Sequence, residues 1–159
     1  MARAREVSGF DCEEPFAPAA ARVVEVRSAE VFEQAHDVLD TGDVERVHDM
    51  RVATRRLRAA LEVFAPCFPR KRHRKALKRV KALADALGER RDRDVSIELL
   101  ERFAAERAPQ GDRAAVAALV ERLREEQREA NEALAPFVAP RPLKKLRRQL
   151  RRLARAARQ

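Results

Sequence analysis

One histidine and three arginines recur at helical spacing in the stretch VHDMRVATRRLRAALEVF, as His48, Arg51, Arg55 and Arg58. At about 100° per residue the four fall within an arc of about 80° on one side of a helix. Met50, Ala53, Leu57, Ala60, Leu61 and Phe64 take the opposite side, and Arg56 lies on the flank. Guanidinium forks and an imidazole N–H are donors suited to phosphate oxygens. The residues at +3, +7 and +10 from His48 are arginines, surroundings that repel a metal cation, so His48 is expected to donate a hydrogen bond to phosphate. Hydrolysis would need a metal held by carboxylates or a carboxylate facing His48. Asp85, Asp92 and Asp94 are the available acids, and Arg90, Arg91 and Arg93 crowd the last two. No catalytic residue, no metal and no cofactor is expected.

Two further basic rows follow. In the next helical stretch Lys71, Arg74, Lys75, Lys78 and Lys81 oppose Ala76, Leu77, Val80, Leu83, Ala84 and Leu87. In the last, Lys144, Arg148, Arg151, Arg155 and Arg158 oppose Leu143, Leu146, Leu150, Leu153 and Ala157. Charged helix faces are usually solvated and balanced by acidic residues one turn away, whereas like charges one turn apart repel by a few tenths of a kcal/mol per pair. Only Glu62 and Asp85 fall inside the two central stripes. The imbalance predicts an anionic partner shared by three converging rows. His73 on an apolar face and His36 in the acidic first segment are expected to be structural.

Helices must position these rows, and the composition supplies them. Of 159 residues only 4 are Gly and none is Trp or Tyr, while Ala, Leu, Arg and Glu dominate, so helix formers abound and strand formers are scarce. The expected fold is all-α, an antiparallel helical bundle of about six helices in one domain spanning residues 1–159, with a flexible segment over 1–14. Pro15 and Pro18 open the first helix, which runs through Val38 and Leu39 to Thr41-Gly42. Asp43 caps the second, which ends before Pro66. Pro69 begins the third and Gly88 stops it. A fourth is expected from about Asp94 to Arg107, a fifth from about Asp112 to Leu134, and a sixth after Pro140 and Pro142.

Charge is segregated along the chain. Residues 1–50 carry 5 basic and 12 acidic groups, residues 51–100 carry 15 and 6, and residues 101–159 carry 15 and 8, for a net charge of +9. With 45% hydrophobic and 38% charged residues, a core is expected inside a strongly ionic surface. No apolar run approaches the ~20 residues of a membrane span, and MARAREVSGF lacks the apolar stretch of a signal peptide. Cys12 and Cys67 lack metal-set spacing and fit reduced, cytoplasmic packing thiols.

Nucleic acid and a base-free polyphosphate compete as the anion. Sites for single strands normally add aromatic platforms for the bases. This chain has 7 Phe, and Phe32, Phe64 and Phe103 sit where a helix core would take them. Duplex DNA could be tracked through phosphates alone, but no helix-turn-helix, zinc-finger or basic-zipper pattern is present. Nucleic-acid binding of a nucleoid-associated type is the alternative expectation.

The residues His48-Asp49-Met50-Arg51-Val52-Ala53-Thr54-Arg55-Arg56-Leu57-Arg58, followed by Leu87-Gly88-Glu89-Arg90-Arg91-Asp92-Arg93-Asp94-Val95, resemble the CHAD family, the conserved histidine α-helical domain, from about Phe16 onward. The resemblance implies helical bundles with a four-helix core whose basic surface binds inorganic polyphosphate without established catalysis, and a protein brought to polyphosphate granules. By motif position it implies phosphate contacts from His48, Arg51, Arg55 and Arg58, joined by the row from Lys71 to Lys81. Arg91 and Asp92 are expected to form an ion pair or a helix-start contact near the site. Family members usually carry two related bundles facing each other, whereas this sequence resembles a single half, so a homodimer about a two-fold axis is expected to supply the other. The triphosphatase domain that often accompanies the family is not seen, so such activity would have to come from a separate protein.

Overall fold

The computed structural model describes residues 3–11 and 13–159, and among them the only regular elements are helices. These are α1 (Phe16–Glu33), α2 (Val44–Val63), a short 3₁₀ turn (Ala65–Cys67), α3 (Arg70–Glu106), α4 (Arg113–Val138) and α5 (Pro140–Ala157). The all-α expectation holds, with five α-helices where about six were expected.

The difference lies at Gly88. The chain does not stop there: α3 continues for 37 residues, about 55 Å at 1.5 Å per residue. A mid-helix glycine costs about 1 kcal/mol relative to alanine, and tertiary packing outweighs it. Beyond Gly88, Arg90, Asp94 and Ile97 are buried, and Gln127 of α4 donates to Asp94 Oδ1 at 2.6 Å. The second difference is at the end of α1, which closes at Glu33. Turns follow, Asp37 takes a positive φ of 51°, and Val38 reaches the core from irregular backbone at 2% exposure.

The prolines that open α5 fall where a helix tolerates them, whereas Pro136 lies inside the last turn of α4. Pro140 and Pro142 occupy the first turn of α5, where the N–H that proline lacks has no intrahelical acceptor. Asp43 and Asp112 precede α2 and α4 as expected, although neither side chain caps its helix; the Asp43 carboxylate meets Arg46 Nε at 3.0 Å instead.

The bundle is a ring of α1, α2, the first half of α3, and α5. Val24, Val31, Val47, Met50, Leu57, Leu61, Leu87, Leu150 and Leu153 are fully or almost fully buried at its centre. Helix α1 packs between α2 and α5, and α3 packs between the same two on the other side. Two contacts fix α2 and α3 as antiparallel: His73 Nε2 lies 2.7 Å from the Leu61 carbonyl at one end, and Arg91 Nη1 donates to the Val44 carbonyl at 3.4 Å at the other. The second half of α3 packs on α4, where Arg124 donates to Glu101 at 2.6 Å. The described part of the N-terminal segment lies against α1: the Arg5 amide donates to Glu30 Oε1 at 2.6 Å, and Arg22 sits over the Phe10 ring at 5.4 Å. Cys12 lies outside the described residues. Cys67 is a free thiol, half-buried, and burial pushes its pKa up.

Candidate functional site

On α2 the apolar side, with Val47, Met50, Ala53, Leu57 and Leu61, is buried against the bundle. Helical geometry then leaves His48, Arg51, Arg55 and Arg58 outside, half-buried to exposed. On α3, Ala76, Val80, Leu83 and Leu87 go inward, leaving Lys71, Arg74, Lys75, Lys78 and Lys81 outward. His73 is buried with its ring stacked on Phe68, and His36 is exposed beside Asp37.

Glu62 shows that the two rows share a seam. Its Oε1 accepts from Arg58 Nε at 3.1 Å and from Lys81 Nζ at 3.0 Å. Lys81 first, and Arg58 second, hold the Glu62 carboxyl below its ordinary range. Among the described residues, His48, Arg51 and Arg55 on α2 and Lys71, Arg74, Lys75 and Lys78 on α3 form no ion pair. The seam is therefore neutralised at Arg58 and Lys81, while Arg51, Arg55 and the row from Lys71 to Lys78 carry no ion pair among the described residues. Arg56 and Asp49 are both engaged in interactions.

Two readings around the seam change. His48 is not surrounded by arginines alone: ligand-type atoms of Glu45, His48 and Asp49 lie within 4.8 Å of one another. Glu45 stands at i−3 from His48 in the sequence, one turn back on the same helix. These three are the residues that could hold a cation, with Arg91 Nη2 at 3.8 Å from Glu45 competing for that carboxylate. Arg91 itself does make a helix-start contact, to the first turn of α2, but its carboxylate partner is Glu45 and not Asp92. With its side chain 14% exposed, Arg91 is a strut between α2 and α3.

The functional-looking pair missed by sequence reasoning is Arg90 with Asp94. Both side chains are 0% exposed and form an i,i+4 ion pair, extended by Gln127. Burial, and then Arg91, pulls the Arg90 pKa down. The pair locks α3 to α4 behind the seam.

The third row does not join the first two. Helix α5 packs most extensively on α1 and less on α3 and α4, with α1 and α3 standing between it and α2. Arg147 leans onto the Phe32 ring of α1 at 4.6 Å, and Gln149 accepts from Arg79 of α3 at 2.7 Å. Lys144, Arg148 and Arg151 thus face outward from α5, diagonally across the bundle from α2. Three converging rows are a correct description of two.

No helix of the described chain is long and apolar enough to cross a membrane. The family model described as CHAD domain matches residues 23–159. Comparison with curated proteins and with solved structures gives no match.

Proposed function

The chain belongs to the CHAD domain family, and on that premise we propose that it binds inorganic polyphosphate, without catalysis, along the seam between α2 and α3. CHAD domains are associated in general with polyphosphate binding. The observation that carries the reading for this chain is Glu62, whose single oxygen holds cations from both helices, so that the two basic rows meet along one seam. His48, Arg51 and Arg55 from α2, and Lys71, Arg74, Lys75 and Lys78 from α3, supply forked and point-charge donors. A phosphate displacing Glu62 adds Arg58 and Lys81. No exposed aromatic stands among these residues to stack a base, which favours a base-free chain over nucleic acid. A second copy of the chain facing this seam would enclose the ligand from both sides, and the protein would thereby accumulate on polyphosphate granules.

The test is competition of linear polyphosphate against single- and double-stranded DNA at matched phosphate concentration and several salt concentrations. Preference for polyphosphate, lost on Arg51→Glu with Arg55→Glu, supports the reading. Preference for DNA at every salt concentration overturns it. Phosphate release from polyphosphate with Mg²⁺ or Mn²⁺ that disappears in His48→Ala overturns the non-catalytic part, and sedimentation as a concentration-independent monomer overturns the dimer.

A further inference from the structure

Helix α4 and helix α5 treat their arginines differently. On α4, Arg122, Arg124 and Arg128 each meet a glutamate, at Glu126, Glu121 with Glu101, and Glu125 respectively. On α5, Arg141, Lys144, Lys145, Arg148, Arg151, Arg152 and Arg155 form no ion pair among the described residues, and no acidic residue occurs after Glu132. Repulsion of a few tenths of a kcal/mol recurs along this helix at each i,i+3 or i,i+4 contact, such as Lys144 with Arg148 and Arg151 with Arg155. Its apolar side, with Leu146, Leu150, Leu153 and Ala157, is buried.

The flanks of α5 are tied down in a way that aims the remainder outward. Arg147 covers Phe32 and Arg158 is paired with Glu25 at 2.5 Å, both toward α1; Gln149 is tied to Arg79 of α3. Between these ties Lys144, Arg148, Arg151 and Arg155 line an open trough of about 970 Å³, and Lys144 and Arg155 lie about 16 Å apart along the axis at 1.5 Å per residue.

We propose that α5 is a second, independent polyanion face, so that one chain holds two strands of linear polyphosphate on opposite sides of the bundle and cross-links them. The ligand class rests on the polyphosphate reading above; the second face rests on α5 alone. Its one side-chain amide, Gln149, is already bonded, and Phe32, the aromatic ring that lines the trough, already carries Arg147 over it, so the face is poorly supplied for stacking bases. With its leucines buried, α5 also has no apolar side to insert into a lipid surface.

The experiment is native mass spectrometry and calorimetry with a linear polyphosphate short enough to occupy one row, together with light scattering on long chains. Two short chains per protein chain are expected for the wild type, and one for Arg148→Glu with Arg151→Glu or for Arg51→Glu with Arg55→Glu. Long polyphosphate is expected to form scattering networks with the wild type and none with either double variant. Circular dichroism reports folding, and Arg148→Gln with Arg151→Gln replaces the charge reversal should that variant melt early. One short chain per protein, lost in either double variant, overturns the second face in favour of a single wrapped site. Tighter binding of duplex DNA or of anionic vesicles than of polyphosphate by the Arg51→Glu, Arg55→Glu protein overturns the chosen occupant. Failure of the wild type to bind any polyphosphate overturns the parent reading instead.

Discussion

Replacing Glu62 by glutamine should tighten polyphosphate binding, because its carboxylate is seated between the two rows, on cations of both helices, where phosphate is proposed to lie. Glu62 Oε1 is within 3.1 Å of Arg58 and 3.0 Å of Lys81, so a phosphate reaching those cations comes within roughly 8 Å of the carboxylate. At that distance the repulsion between unit charges is about 0.5 kcal/mol in a water-like medium and about 2 kcal/mol at an effective dielectric near 20. Removing it corresponds to affinity tighter by about 2- to 30-fold. The gain should shrink with salt, since the Debye length is about 10 Å at 0.1 M. The cost to the unliganded fold is small: two exposed pairs are worth about 0.2–1 kcal/mol each.

Isothermal titration of wild type and Glu62→Gln with one polyphosphate length at two salt concentrations measures this. The pH dependence gives a second reading. Lys81 and Arg58 depress the Glu62 pKa in the free protein, so its contribution to stability is complete above the unfolded-state pKa and is lost as pH falls through the lower folded value. Protonation there also removes the competing anion, so wild-type affinity should rise below the ordinary carboxylate range while that of Glu62→Gln stays flatter. Unchanged or weaker binding by Glu62→Gln, in a preparation where Arg55→Gln does weaken it, would show that the ligand avoids the Arg58–Lys81 end of the seam.

Arg51→Glu with Arg55→Glu replaces two attractions by two repulsions and should cost about 2–4 kcal/mol, or about 30- to 1,000-fold in Kd by titration. The neutral pair Arg51→Gln with Arg55→Gln should lower the slope of log K against log salt by about 1.4 if each contact releases counterions as on a single strand. Arg90→Met leaves the Asp94 carboxylate buried without its cation and should cost about 3–5 kcal/mol in denaturant melts, much of it recovered in Arg90→Met with Asp94→Leu. Gly88→Ala should stabilise by about 0.5–1 kcal/mol, seen as a higher Tm, since a Cβ placed there meets nothing within 4 Å.

The basic rows were legible because a helix writes its outward face into the sequence at fixed intervals. Which rows would face each other was not, since that depends on the order of helices around the bundle, and α5 closes the ring on the side of α1. The end of α1 is hidden in the sequence for a local reason: Val38 and Leu39 keep helical spacing with Val31, yet they follow turns in which Asp37 adopts a left-handed backbone, and Val38 is buried from there. Around His48 the arginines at +3, +7 and +10 are only half of its surroundings, because Glu45 at i−3 lies on the same side of the helix.

Gly88 hid information that the sequence did contain. Val80, Leu83, Leu87, Arg90, Asp94 and Ile97 follow one another at three- and four-residue steps, so the buried stripe continues in phase through the glycine and passes directly through an arginine and an aspartate. Two charged residues can take consecutive buried positions of that stripe because they pair one turn apart, with Gln127 adding a bond to Asp94. A helix that runs on through Gly88 carries its second half beyond the first-half packing against α2, and α4 must return along it. That hairpin is where Glu89, Glu98, Glu101, Glu121, Glu125 and Glu126 find their arginines. Carboxylates held there, with those of the N-terminal third held on α1 and its flanks, leave few to reach the α2–α3 seam and none on α5 itself, which is why a chain with a net charge of +9 concentrates its uncompensated cations on two faces of one bundle.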